Sequence, residues 1–241
     1  MKFIAIFVLS LAALIDSAQA EDSRLDEAKA AFDRIDYETS FALFLPLANE
    51  GNDDAKLTLG WFFQFGHGVK QNCAEAIRWY QQVIEKSGAL AQYRLGTVYE
   101  MEKCGKDLDK AISWYRKAAD IGDKRAQHRL SAMYYTGEGV KQDYKESFAW
   151  EQKSAERGYV EAQVSLGNMY FDGVGVEKDY GKAIYWYQKA GENGDTDILC
   201  HLAHLYLYGK GVERDQGMAQ YWLDKATKKG ASPKECSRDK T

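Results

Sequence analysis

The sequence predicts an all-α fold, a right-handed α-solenoid of stacked antiparallel helix pairs, on three observations. A period of 36 residues is marked by Trp79, Trp114, Trp150, Trp186 and Trp222. About twenty residues before each Trp stands a Leu followed by a small residue, at Leu59-Gly60, Leu95-Gly96, Leu130-Ser131, Leu166-Gly167 and Leu202-Ala203, with an aromatic four residues after the Leu. Between these landmarks runs Gly-x-Gly-Val, at Gly66, Gly137, Gly173 and Gly209, and each unit closes on a glycine, at Gly88, Gly122, Gly158, Gly194 and Gly230. Periods of this length signal repeat architectures, in which one helix pair cannot bury its apolar face alone and stacking makes the core continuous.

The elements follow in chain order. Lys2 precedes the apolar run Phe3 to Ile15, and Ala18-Gln19-Ala20 supplies the small-x-small pattern of a signal peptidase site, so residues 1–20 read as a signal peptide cleaved after Ala20. A membrane anchor needs about 20 apolar residues, and Asp16 ends this run early. The mature chain is therefore expected in the periplasm or secreted, without stable membrane insertion and as a monomer. Residues 21–52 form a capping helix pair that lacks the Trp but keeps Tyr37, Leu47-Ala48 and Gly51 in phase, with Pro46 kinking its second helix or removing one hydrogen bond. Five repeats occupy 53–230 (53–88, 89–122, 123–158, 159–194 and 195–230), and 231–241 is a polar tail.

Within a repeat the spacing is mechanical. The Leu and the aromatic at Leu+4 share one face of a first helix, and the small residue beside the Leu lets a second helix approach closely. In that second helix Ala76, Ala111, Ser147, Ala183 and Ala219 lie three before the Trp, and Val83, Ala118, Ser154, Ala190 and Ala226 four after it. The closing glycines suit the left-handed position that ends a helix. Asp143, Asp179 and Asp215 recur just before second helices and read as N-caps rather than catalysts. The second repeat has no Gly-x-Gly-Val between Glu100 and Asp107 and is one residue short, so its connection should be remodelled.

Four Cys in an exported chain allow three pairings. Cys73 opens a second helix and Cys104 sits in the unusual connection of the next repeat, which favours Cys73–Cys104. Cys200–Cys236 follows by elimination. Those two are in phase, and stacked helices lie 8–10 Å apart, beyond disulfide reach, so this bridge requires the tail to leave the repeat register, for which Pro233 gives the means.

Net charge is −4 with a pI near 5.7, which supplies no basic field for nucleic acid. The spacing Cys200-His201-x-x-His204 with Cys236 could suit zinc, but a disulfide consumes both sulfurs and His201 points away from Cys200, so no metal and no cofactor is expected. The Gly-x-Gly-Val turns join helices and lack the Lys-Ser/Thr of a phosphate loop. No Gly-x-Ser-x-Gly or His-Glu-x-x-His constellation is present.

The units, as in Tyr170-Phe-Asp-Gly-Val-Gly-Val-Glu-Lys-Asp-Tyr-Gly-Lys-Ala-Ile-Tyr-Trp186, resemble Sel-1-like repeats, relatives of the tetratricopeptide repeats. The resemblance implies an adaptor or scaffold that holds a protein or peptide on a concave surface, not an enzyme. It further implies that positions Leu−5, Leu−2, Leu+2 and Leu+5 line that surface. On this basis Trp61, Gln64, Tyr93, Glu100, Arg125, His128, Tyr135, Asn168, Phe171 and His204 are the expected partner-binding residues, and they vary from repeat to repeat as a ligand-shaped surface would. Large aromatics and Arg are enriched among interface hot spots. The expected function is an exported, non-catalytic interaction module, including the role of a periplasmic immunity protein against a delivered toxin. The alternatives are an envelope scaffold or adaptor and, ranked last, a penicillin-binding, weakly β-lactamase-like protein of the cysteine-rich type.

Overall fold

The computed structural model describes residues 23–232 and Cys236. The expected signal peptide, 1–20, and most of the tail, Pro233 included, lie outside the described residues. Twelve helices and no strand occur among the described residues: α1 (23–33), α2 (Tyr37–Glu50), α3 (Asp53–Phe65), α4 (Cys73–Gln81), α5 (Gly88–Glu100), α6 (Leu108–Asp120), α7 (Lys124–Thr136), α8 (Tyr144–Glu156), α9 (Val160–Asp172), α10 (Tyr180–Glu192), α11 (Thr196–Tyr208) and α12 (Gln216–Lys228). They belong to two compact units, one reaching Trp114 and one beginning at Tyr115, so that the division falls inside α6. Within the first unit α2 packs on α3, α3 on α4 and α4 on α5; within the second, successive helices from α7 to α12 pack in chain order.

Each helix pair is set by the same local devices. The side chains of Asn72, Asp143, Asp179 and Asp215 accept backbone N–H bonds at the starts of α4, α8, α10 and α12, and Asp107 accepts one from Lys110 N at the start of α6. These bonds hold the carboxyls of Asp107 and Asp179 below the ordinary aspartate range. The same residues donate their own N–H to the carbonyl of the Leu+4 aromatic in the preceding helix. The pairs are Asn72 to Phe63 at 2.9 Å, Asp107 to Tyr99 at 2.7 Å, and Asp143 to Tyr134, Asp179 to Tyr170 and Asp215 to Tyr206, each at 2.9 Å. One residue thus starts the second helix and ties it to the first.

The core repeats with the sequence. Leu59, Leu95, Leu130, Leu166 and Leu202 are fully buried, as are Ala55, Ala91, Ala126 and Ala162 one turn earlier. Burying a leucine contributes roughly 1.5–3 kcal/mol. In three second helices the deepest aromatic is the residue after the Trp: Tyr80, Tyr115 and Tyr187 are at most 1% exposed, whereas Trp79 and Trp222 are 4% exposed and Trp114, Trp150 and Trp186 only partly buried. The Tyr80 and Tyr187 rings lie on Gly60 and Gly167, where an added Cβ would collide with them, at 2.5 Å in the case of Gly60. In the first and fourth repeats the small residue beside the Leu is therefore the seat of a ring.

Two expectations need correction or refinement. Gly88 does not terminate a helix; it is the first residue of α5, and the chain passes from α4 through a turn at 82–86, so no left-handed residue is required there. Gly122, Gly158, Gly194 and Gly230 do take positive φ. The connection of the second repeat is remodelled into a 3-10 turn, Glu102–Cys104, closed by Gly105 at φ 73. α2 continues through Pro46 as one helix.

The cysteines form two disulfides, Cys73–Cys104 with Cα atoms 5.6 Å apart and Cys200–Cys236 at 4.9 Å. Cys236 is buried in the apolar cluster of the second unit, where its bridge to Cys200 fixes it against α11. For separations of 31 and 36 residues, the chain-entropy contribution is about 3–4 kcal/mol per bridge. Replacing Cys73 and Cys104 together by Ser should lower the unfolding free energy by an amount of that order in urea titration, and mass spectrometry of the unreduced protein should find no alkylatable thiol. Gly60→Ala should cost about 1–3 kcal/mol, because the Tyr80 ring has to move. Gly181→Ala, whose Cβ meets only Asp179 Oδ1 at 3.4 Å, should instead stabilise α10 by about 0.5–1 kcal/mol.

Candidate functional site

The first-helix faces carry the expected binding residues, and each unit opens a cavity there. In the first unit a cavity of about 350 Å³ is lined by Lys29, Phe32, Asp54, Leu57, Thr58, Trp61, Leu90 and Arg94. Trp61 reaches it from an aromatic cluster: its ring is 5.0 Å from Phe32, 5.7 Å from Tyr37 and stacked on His67 at 4.8 Å. The indole therefore packs between helices along part of its surface and lines the cavity with the rest. Tyr93 and Glu100 are partly buried and do not line it.

Gln64 is a correction. It is 1% exposed, its Nε2 donates to Thr97 Oγ1 at 2.9 Å, and its Oε1 accepts from Tyr80 OH at 2.8 Å. The reason is the buried phenol: a hydroxyl taken from water needs a partner, and Gln64 turns inward to supply it. Burial pushes the Tyr80 phenol well above its ordinary range, so it stays a donor. No side-chain atom of Gln64 is left to contact a partner protein.

In the second unit a cavity of about 260 Å³ brings together three expected residues, His128, Tyr135 and Asn168, with Ser131, Ala132, Ser147, Glu151 and Asp172. Asn168 Oδ1 accepts from Tyr187 OH at 2.7 Å, while Tyr135 is 45% exposed and meets Tyr144 edge-on at 5.3 Å. Three other expected residues do not line it. Arg125 is paired with Asp123, the N-cap of α7, at 2.5 Å; Phe171 leans on Tyr180 at 5.0 Å; and His204 lies 6.0 Å from Tyr208. Cys200 is oxidised, so the His201 and His204 spacing offers no thiolate, and among the described residues no group of three or more His, Cys, Asp or Glu could hold a metal ion. No described helix is long and apolar enough to cross a membrane.

The inner wall of this second cavity escaped the sequence reading. In the third repeat four core positions are polar. Ser131 stands where other repeats have Gly or Ala, Ser147 and Ser154 stand where they have Ala or Val, and Glu151 stands where they have Tyr80, Tyr115, Tyr187 and Leu223. Ser131 and Ser147 hydroxyls are 3.0 Å apart, Ser154 Oγ donates to Lys124 O at 2.6 Å, and Glu151 Oε1 lies 2.9 Å from His128 Nδ1. Glu151 is 2% exposed. A carboxylate at a position otherwise occupied by a ring or Leu was the available signal.

A model of the Sel1 repeat matches five segments, 54–87, 89–123, 124–159, 160–195 and 199–230, together more than half the chain. The chain belongs to the Sel1 repeat family. It is similar in structure to a Sel1 repeat protein from Oxalobacter formigenes, with 30% identity and a TM-score of 0.71, covering 86% of this chain and 85% of that one. It also shares its fold with an immunity protein from Pseudomonas aeruginosa, at 19% identity and a TM-score of 0.57, covering 90% of this chain and 83% of that one. A rat protein, DAP3-binding cell death enhancer 1, is 31% identical over 94 residues; these are 36% of this chain, and the chain spans only 18% of the rat protein's length.

Tyr80→Phe should leave Gln64 Oε1 buried and unpaired, at a cost of about 1–3 kcal/mol in urea titration. Tyr185→Phe, at an exposed ring, should be close to neutral.

Proposed function

We propose that the chain is an exported, non-catalytic protein-interaction module that binds a protein partner on its first-helix faces. The observation that carries this reading is that two cavities, one in each unit, are lined by first-helix positions that do not recur between repeats: Asp54, Leu57 and Trp61 in one unit, His128, Tyr135 and Asn168 in the other. Packing obliges core positions to repeat, whereas a surface shaped for one partner has no such obligation. The mixture of exposed aromatic and polar groups at these positions suits an interface. Family membership supports the scaffold role. Two disulfides support an oxidising compartment, and the N-terminal pattern of Lys2, the Phe3–Ile15 run and Ala18-Gln19-Ala20 supports delivery there by a cleaved signal.

Within this class we propose the role of an immunity protein that occupies a toxin delivered into the envelope. The fold shared with the Pseudomonas aeruginosa immunity protein supports it. An envelope scaffold is the competing role, and protection of a sensitive strain from a toxin encoded beside this chain separates the two: protection is expected, and its absence would favour the scaffold.

The binding face is tested by photo-crosslinking. Benzoylphenylalanine placed at Thr58 or Asn168 should yield an adduct with the partner, whereas the same probe at the exposed second-helix positions Tyr185 and Tyr221 should not. Adducts confined to the second-helix positions would refute the assignment.

A further inference from the structure

The cavity of the second unit holds a carboxylate oxygen without a use in the fold. Glu151 lines the cavity yet is 2% exposed; Oε1 is engaged by His128, and Oε2 has no hydrogen-bond partner among the described residues. A buried polar oxygen without a hydrogen-bond partner costs free energy that a donor would recover. The position offers a cheaper solution, which this chain uses elsewhere: a tyrosine seated on glycine, as in Tyr80 on Gly60 and Tyr187 on Gly167. In the third repeat both members of that pair differ together. Ser131 replaces the glycine, Glu151 replaces the ring, and both residues line the cavity.

We infer that this cavity is a socket for a basic side chain, lysine or arginine, of the protein partner. The inference rests on the interaction reading above and names the chemistry of one contact. The carboxylates of the lining favour a cationic donor. Glu151 Oε2 has no donor among the described residues, and Asp172 adds a second carboxylate at an exposed position. Tyr135 presents a half-exposed ring, over which an ammonium or guanidinium is attracted. His128, already bound to Glu151, is the only basic residue of the lining. An anionic or purely apolar group would leave Oε2 unpaired, whereas a cation forms a charge-assisted hydrogen bond with it.

The test uses N-acetyl-arginine methylamide and N-acetyl-lysine methylamide as probes, the citrulline analogue as the uncharged control, and amide chemical shifts of the full folded chain as readout. At least one cationic probe should give saturable shifts at His128, Tyr135 and Asn168, the stronger of the two identifying the side chain, with citrulline weaker by about tenfold or more. Glu151→Gln should reduce cation affinity by about the same factor while keeping the cavity's shape. The double variant Ser131→Gly/Glu151→Tyr, which rebuilds the packing of Gly60 with Tyr80, should fold and abolish the shifts. Equal affinity for citrulline, binding retained by the double variant, or no saturable shift with either cation would overturn the socket. Crosslinking keeps this separate from the broader reading. An adduct at Asn168 that the double variant forms undiminished overturns the socket and leaves the interaction module standing. Cation binding without any first-helix adduct overturns the assignment to a partner's side chain.

Discussion

A second-helix side chain lying directly on a small first-helix residue is the contact from which the repeat is built. Tyr80 on Gly60 and Tyr187 on Gly167 leave no room for a Cβ, which fixes how near the two helices come. That distance in turn decides which neighbours are buried, because the fully buried Leu59 and Leu166 stand immediately beside those glycines. In the fifth repeat a larger seat, Ala203, accompanies a smaller occupant, Leu223. Seat and occupant thus trade volume, as close-packed interiors require.

Around this contact the chain solves its polar requirements locally. The N-cap residue of a second helix accepts from its own first turn and donates to the aromatic carbonyl of the preceding helix, so a few residues of connection satisfy both helix ends. Where the glycine-rich connection is missing, between α5 and α6, the 3-10 turn and Gly105 do the same work, and Asp107 still reaches Tyr99 O.

The helix pairs and the caps were legible in the sequence because periodic spacing and capping chemistry act over a few residues. The expected disulfide pairs were legible for a different reason: only one of three connectivities joins the unusual connection to the helix beside it. Burial was harder to read. Gln64 occupies a surface position by spacing, yet it turns inward because a tyrosine hydroxyl sixteen residues on requires an acceptor, a demand visible only in three dimensions. Tryptophan marks the period but not the depth: Trp79 and Trp222 are buried, whereas Trp114, Trp150 and Trp186 are only partly so. Glu151 stood in plain view as a carboxylate in a tyrosine register. The spacing that marks surface positions concerns first helices, whereas the floor of the cavity comes from α8, a second helix.

The bridge between Cys200 and Cys236 has a mechanical meaning. Cys200 lies in α11, and the loop closed by the bridge contains the whole of α12. Tension applied to the chain beyond Cys236 therefore bypasses the last helix and is borne by α11 through a covalent bond. A tether or a surface attached at that end is held by α11, the penultimate of the described α-helices, and its pull does not peel α12 away first.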